Sequence, residues 1–164
     1  TISNKNLGNR FLYGGTFESK VELGSDLSIH SHFTLTKGDQ NSPYGPLPSI
    51  LPFFGASSLN FSNAKWSLRA EWDFNSAKHP VSFSLGGEDS LEETPFLGDF
   101  SSDLLNYAGS LAWYVFNLRG SLQFSQKTVF NFELHNILDV HYRPFASGLS
   151  APGRSLNLGL KIDI

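Results

Sequence analysis

The chain contains no cysteine and no methionine among its 164 residues. Without cysteine there is no disulfide framework, no thiolate metal site and no cysteine nucleophile, and the redox compartment stays undetermined. Without methionine, and with Thr1 in first place, the sequence reads as a processed chain or a fragment of a longer one. Basic residues are also few. Lys plus Arg number 12 against 15 Asp plus Glu, a net charge of −3, which excludes the basic surface that a nucleic-acid partner needs. Uninterrupted apolar runs are only a few residues long, so no helix is expected to span a bilayer, and no segment reads as a secretory signal. The length suffices for one domain with a sizeable core.

What the chain does have is a period of two. In Leu156-Asn157-Leu158-Gly159-Leu160-Lys161-Ile162-Asp163-Ile164 every even position is apolar and every odd one is polar or glycine, a pattern that suits a strand and no helical face. The same alternation marks Trp66 to Asn75, Phe116 to Phe124, and Phe130 to Leu134. Upstream it marks Phe11 to Leu23 and Leu27 to Leu35, and the short run Leu59-Asn60-Phe61 suggests a seventh strand. Glu18, Lys20, Glu22, Arg69, Glu71, Asp73, Arg119, Glu133, Lys161 and Asp163 all occupy the polar parity. If each were free to choose a face, chance would give this about once in a thousand, so one face excludes charge.

Alternation alone fits two architectures, a soluble antiparallel β-sandwich and a transmembrane barrel. The connections distinguish them. Gly24-Ser25-Asp26, Asn63-Ala64-Lys65 and Ser125-Gln126-Lys127 are tight turns, whereas the intervening connections run from Lys37 to Gly55, from Ser76 to Leu111 and from Ile137 to Gly153. Short turns at one end and long loops at the other are the asymmetry of outer-membrane barrels. Tyr13, Trp66, Trp72, Phe74, Tyr114 and Phe124 fall toward strand ends on the apolar parity, where interfacial girdles occur. The predicted fold is therefore all-β, a transmembrane antiparallel barrel portion of about seven strands.

Candidate chemical groups are sparse. His30 and His32 share one face of a strand but form only two of the ligands a zinc or copper site needs. No nucleophile elbow or triad order is present, so the chain is not read as an enzyme, and no cofactor is expected. The connection from Ser76 to Leu111 holds Glu88, Asp89, Glu92, Glu93, Asp99 and Asp103 against Lys78 alone. It is read as a solvated acidic loop, with a divalent cation or a basic partner as the alternative. Gly86-Gly87 marks a turn. Arg69, Glu71, Asp73, Arg119 and Glu133 are candidates for contact with a plug domain inside a barrel, or for pairing among neighbouring strands.

A resemblance enters with the last 33 residues. Phe132-Glu133-Leu134-His135-Asn136-Ile137-Leu138-Asp139-Val140-His141-Tyr142, followed by Ala151-Pro152-Gly153-Arg154 and the alternating terminal strand, resembles the C-terminal end of TonB-dependent outer-membrane receptors. Pro46-Leu47-Pro48-Ser49-Ile50-Leu51-Pro52 is similar to a proline-rich loop upstream in that family. The pattern departs from the family in having His135 directly before Asn136 and in ending on Ile164 where an aromatic is commoner. The resemblance implies that residues 1–164 are the C-terminal part of a plugged barrel of about 22 strands, with the plug and most of the wall absent. It singles out Asn136, Leu138, Asp139, Tyr142, Ala151, Pro152, Gly153 and Arg154 as family-motif residues. It also implies that Leu156, Leu158, Leu160, Ile162 and Ile164 face lipid and form the terminal pattern read by the assembly machinery.

By the same resemblance the protein takes up a scarce ligand, of the siderophore, haem, cobalamin, oligosaccharide or peptide kind, across the bacterial outer membrane. Its implied partners are the rest of the barrel, the plug, lipid, and a TonB-type coupling protein reached through absent N-terminal segments. Two other functions remain open on the sequence: a non-transporting barrel scaffold in an outer-membrane assembly, and a soluble β-sandwich binding module.

Overall fold

The seven alternating segments become seven strands in the computed structural model, which describes residues 9–39, 45–84, 86–98 and 106–163. They are β1 (Leu12–Glu22), β2 (Leu27–Gly38), β3 (Phe54–Ser62), β4 (Trp66–Asn75), β5 (Trp113–Ser125), β6 (Thr128–His135) and β7 (Ser155–Ile162). Each pairs antiparallel with the next, giving a single sheet in the order β1 to β7. This is an open meander with β1 and β7 as its edges, and among the described residues no second sheet packs on it, which removes the sandwich alternative.

Register decides which residues share a face. Val21 pairs with Ile29, Ile29 with Leu59, Leu59 with Ala70, Ala70 with Leu118, Leu118 with Leu134, and Leu134 with Leu156. A slip of one residue anywhere would break that row, so the apolar parity of every strand lies on one continuous face. The face is not covered: Leu156, Leu158, Leu160 and Ile162 are 59–63% exposed. Ile164 lies outside the described residues.

Nine of the ten charged strand residues occupy the opposite face. The exception is Lys37, which the strand β2 carries onto the apolar parity beside Tyr13, next to the long-loop end, where a lysine stem can run along apolar surface toward water. Asp163 falls just beyond β7 and pairs with Lys161 at 3.4 Å.

Aromatic rings gather on the apolar face toward the long-loop end. Phe17 and Phe33 stack at 6.2 Å, Phe33 and Phe74 lie 6.0 Å apart, and Trp72 stacks on Phe74 at 4.8 Å. Gly55 is part of this arrangement. A Cβ there would come within 2.6 Å of the Phe33 ring, so the glycine lets that ring lie across the sheet.

All three tight turns lie at one end, between β1 and β2, β3 and β4, and β5 and β6. In the second, the Asn63 Oδ1 accepts hydrogen bonds from the amides of Lys65 and Trp66 at 2.9 and 2.8 Å, an Asx turn that reverses the chain locally. The three long connections, 39–53, 76–112 and 136–154, all lie at the other end. The middle one contains short 3₁₀ turns at Pro80–Ser82 and Leu91–Glu93, and Lys78 and Ser110 close its base by exchanging backbone hydrogen bonds of 2.9 and 3.1 Å.

Candidate functional site

Charge on the polar face is organised around one carboxylate. Arg69 and Arg119 stand directly opposite each other on β4 and β5, a like-charge pair that would repel if left alone. Glu71 sits between them. It accepts hydrogen bonds from Arg69 through both Nε, at 2.7 Å, and Nη2, and its other oxygen lies 3.4 Å from Arg119 Nη2. One turn of the pleat further on, Asn117 Nδ2 donates to Asp73 at 2.7 Å. Glu133 bonds His135 at 3.1 Å. Glu71–Arg119 and Asp73–Asn117 thus cross from β4 to β5, whereas Arg69–Glu71 and Glu133–His135 each lie within one strand, and the Arg69 and Arg119 side chains remain nearly half exposed.

From Asn117 the polar network passes into the loops. Its Oδ1 accepts the backbone amide of Asn136 at 2.9 Å. Asn136 is 3% exposed and left-handed, with φ 47°, a conformation that asparagine adopts more readily than other residues with a side chain. Its amide group does the work of a backbone turn: Oδ1 accepts from Val140 N at 2.9 Å, while Nδ2 donates to Val140 O at 2.9 Å and to Pro152 O at 3.3 Å. Both ends of the 136–154 loop are so tied to one side chain.

A second tie lies beside it. Asp139, also left-handed, accepts the Arg154 amide at 2.8 Å and faces the Arg154 guanidinium at 3.8 Å. A Cβ on Gly153 would stand 2.9 Å from the Asp139 carboxylate, so a larger residue there would push that carboxylate from its place. The Ala151 amide donates to Tyr142 O at 2.9 Å. Of the residues that the motif resemblance singles out, Asn136, Asp139, Tyr142, Ala151, Pro152, Gly153 and Arg154 therefore meet at the loop base, whereas Leu138 is exposed.

These groups border a chamber of about 650 Å³ on the polar face at the long-loop end, lined among others by Asp73, Asn117, Trp113, Tyr142 and Phe145. Trp113 and Tyr142, their ring centres 4.3 Å apart and the rings tilted by 36°, form its upper wall, beyond which a cavity of about 420 Å³ lies between the 76–112 and 136–154 loops. Burial, and then the nearby Asp73 carboxylate, hold the Tyr142 phenol above its ordinary pKa, so it remains a neutral donor. The chamber offers hydrogen-bonding groups and aromatic faces, which suit binding.

In the acidic loop Glu88, Glu92 and Glu93 are exposed, as expected of a solvated segment, and Asp89 alone among the described acids departs from it. Asp89 is 1% exposed and Lys78 7%, and the two pair at 2.8 Å. The reason is that backbone amides and aromatic rings, not water, satisfy them, as described below. Glu88 accepts a hydrogen bond from Ser84 at 2.7 Å. Asp99 and Asp103 lie outside the described residues. His30 and His32 both lie on the polar face, opposite Lys20 and Glu18, and no group of three or more potential metal ligands forms among the described residues.

Alternation in the sequence found the strands and the charged face. It did not find Asn117, Trp113 or the Lys78–Asp89 pair; the only signal for the last was a lone cation in an acidic segment.

An open seven-stranded meander with one face that carries charge only at Lys37, one polar face and all long loops at one end has the fold of part of the barrel wall seen in TonB-dependent outer-membrane receptors. Three such solved structures are similar to it. The copper transporter OprC aligns with a TM-score of 0.67 at 15% identity, over 93% of this chain and 23% of its own. The ferric-catecholate import receptor Fiu from E. coli K12, in its open form, gives 0.63 at 12% identity, over 95% of this chain and 21% of its own. The siderophore receptor PiuA from Acinetobacter baumannii gives 0.63 at 10%, over 93% and 22%. The chain spans less than a quarter of the length of each. No family model and no curated protein matches the amino-acid sequence.

Proposed function

We propose that this chain is the C-terminal part of the barrel wall of an energy-coupled outer-membrane receptor. The observation that carries the reading is the largely apolar face that continues across all seven strands, uncovered in the structure and free of charge away from the long-loop end. In water such a surface would be a strong association hazard, whereas in a bilayer it is the ordinary exterior of a barrel. Two open sheet edges in lipid would leave unpaired backbone groups costing several kcal/mol each, so further strands must pair with β1 and β7.

On this reading the apolar face, including Leu156, Leu158, Leu160 and Ile162, contacts lipid. The face bearing Arg69, Glu71, Asp73, Arg119 and Glu133 lines the lumen against a plug. The tight turns are periplasmic, and the long loops are external and recognise ligand. A TonB-type protein, engaging segments outside this chain, drives plug rearrangement. The similar structures named above are a copper transporter, a ferric-catecholate import receptor and a siderophore receptor. This chain supplies neither thiolate nor thioether, so any metal it contacts would meet oxygen or imidazole, and a chelated or organic ligand fits the chamber better than a soft bare ion.

Deleting the whole reading frame, and separately the energy-coupling protein, tests the proposal. Uptake of labelled siderophores, haem, cobalamin, oligosaccharides and copper should fall for one and the same ligand in both strains. Unchanged uptake of every ligand, together with loss of a neighbouring outer-membrane complex, would contradict transport and favour the scaffold function.

A further inference from the structure

The structure assigns the three long loops to one cooperative body, held by the buried Lys78–Asp89 pair, so that they open together and not one at a time. Each loop contributes to this pair. From the 39–53 loop, the Ser49 amide donates to Asp89 Oδ1 at 2.7 Å, and the Ile50 carbonyl accepts from Lys78 Nζ at 2.8 Å. From the 76–112 loop come both charged groups, 2.8 Å apart, and the Ser84 amide, which donates to Asp89 Oδ2 at 3.1 Å. From the 136–154 loop comes Phe145, whose ring centre lies 4.3 Å from the Lys78 ammonium and 5.8 Å from the Phe83 ring.

Among the described residues neither charge has an alternative partner. Asp89 accepts three hydrogen bonds and Lys78 is enclosed by a carboxylate, a carbonyl and two aromatic faces. Moving any one loop removes a ligand of a desolvated ion, and a buried ion with an incomplete shell is far costlier than a complete one. Withdrawal of the 39–53 loop strips the Ser49 donor from Asp89 and the Ile50 acceptor from Lys78 together. Withdrawal of the 136–154 loop takes away the nearer of the two cation–π faces, that of Phe145. The loops are therefore coupled through shared satisfaction of one ion pair, a contact network with a definable on and off state.

Thiol labelling of the whole receptor in intact cells tests this, with single cysteines placed at Pro52, Leu91 and Val140, one in each loop, and labelling read site by site by mass spectrometry. Asp89→Asn is expected to raise the labelling rate by about tenfold or more at all three positions while the barrel keeps its heat-modifiable migration. Asp139→Asn, which touches only the base of the 136–154 loop, should raise labelling at Val140 alone. If Asp89→Asn blocks assembly, the double variant Lys78→Met with Asp89→Leu leaves no orphaned charge, yet the Ser49 and Ser84 amides still lose their acceptor, and the same threefold pattern is expected. A rise confined to Leu91, or no rise at Pro52, would overturn the coupling.

Discussion

Leu158→Arg is expected to prevent most of the protein from assembling in the membrane, whereas Asn157→Arg, one residue away, leaves assembly at the level of the unaltered protein. Leu158 stands in the middle of β7, opposite Phe132 and flanked on the same face by Leu156 and Leu160. An arginine near the bilayer midplane on the lipid face of a barrel costs about 2 to 4 kcal/mol. Asn157 lies on the other face, opposite Glu133, where a guanidinium gains a cross-strand carboxylate. Heat-modifiable migration of the two variants separates them, and equal yields would place Leu158 away from lipid.

Asn136→Ala should release the 136–154 loop. The substitution removes three side-chain hydrogen bonds, to Val140 N, Val140 O and Pro152 O, and leaves an alanine at φ 47°. Leaving buried backbone groups unpaired costs about 1 to 3 kcal/mol each, and the left-handed backbone adds about 1 to 2 for a residue with a Cβ. With part of the loss recovered by water, local opening should become easier by about 3 kcal/mol, a hundredfold or so faster hydrogen exchange at the Val140 amide. Asn136→Gly tolerates the backbone and loses only the hydrogen bonds, so it should exchange more slowly than the alanine variant while remaining faster than the parent. Unchanged exchange in both would mean that the loop is held elsewhere.

The legible part of this fold is the part written in period two. Strands with bulky residues on the apolar face, such as Trp66 to Asn75 and the terminal segment, announce themselves, and so does the asymmetry of their connections. The first half of β3 does not. Phe54-Gly55-Ala56-Ser57-Ser58 puts glycine and serine on the apolar parity, and it is a strand because Phe33 covers Gly55 and Ser57 hydrogen-bonds Ser31 at 2.8 Å, both contacts from β2. Likewise β5 begins at Trp113, earlier than the alternation beginning at Phe116 indicates.

At the site, sequence resemblance brought attention to Asn136, Asp139 and Arg154 but gave them no physical role; that comes from backbone groups that meet only when the loop closes. The buried Lys78–Asp89 pair was illegible for the same reason. Six acids against one lysine read as a solvated segment, because charge counting carries no information on which carboxylate meets the amides of Ser49 and Ser84.

The claim on which the rest depends is that one face of this sheet meets lipid and the other does not. A nitroxide scan of the whole receptor in outer-membrane lipid, residue by residue through Trp66–Asn75 and Ser155–Ile162, measures it. Collision with oxygen dissolved in lipid should peak at Leu68, Ala70, Trp72, Leu156, Leu158 and Leu160, and collision with a water-soluble nickel chelate should peak at the residues between them, with a period of two in opposite phase. Equal accessibility to both reagents at both parities would contradict the barrel-wall account.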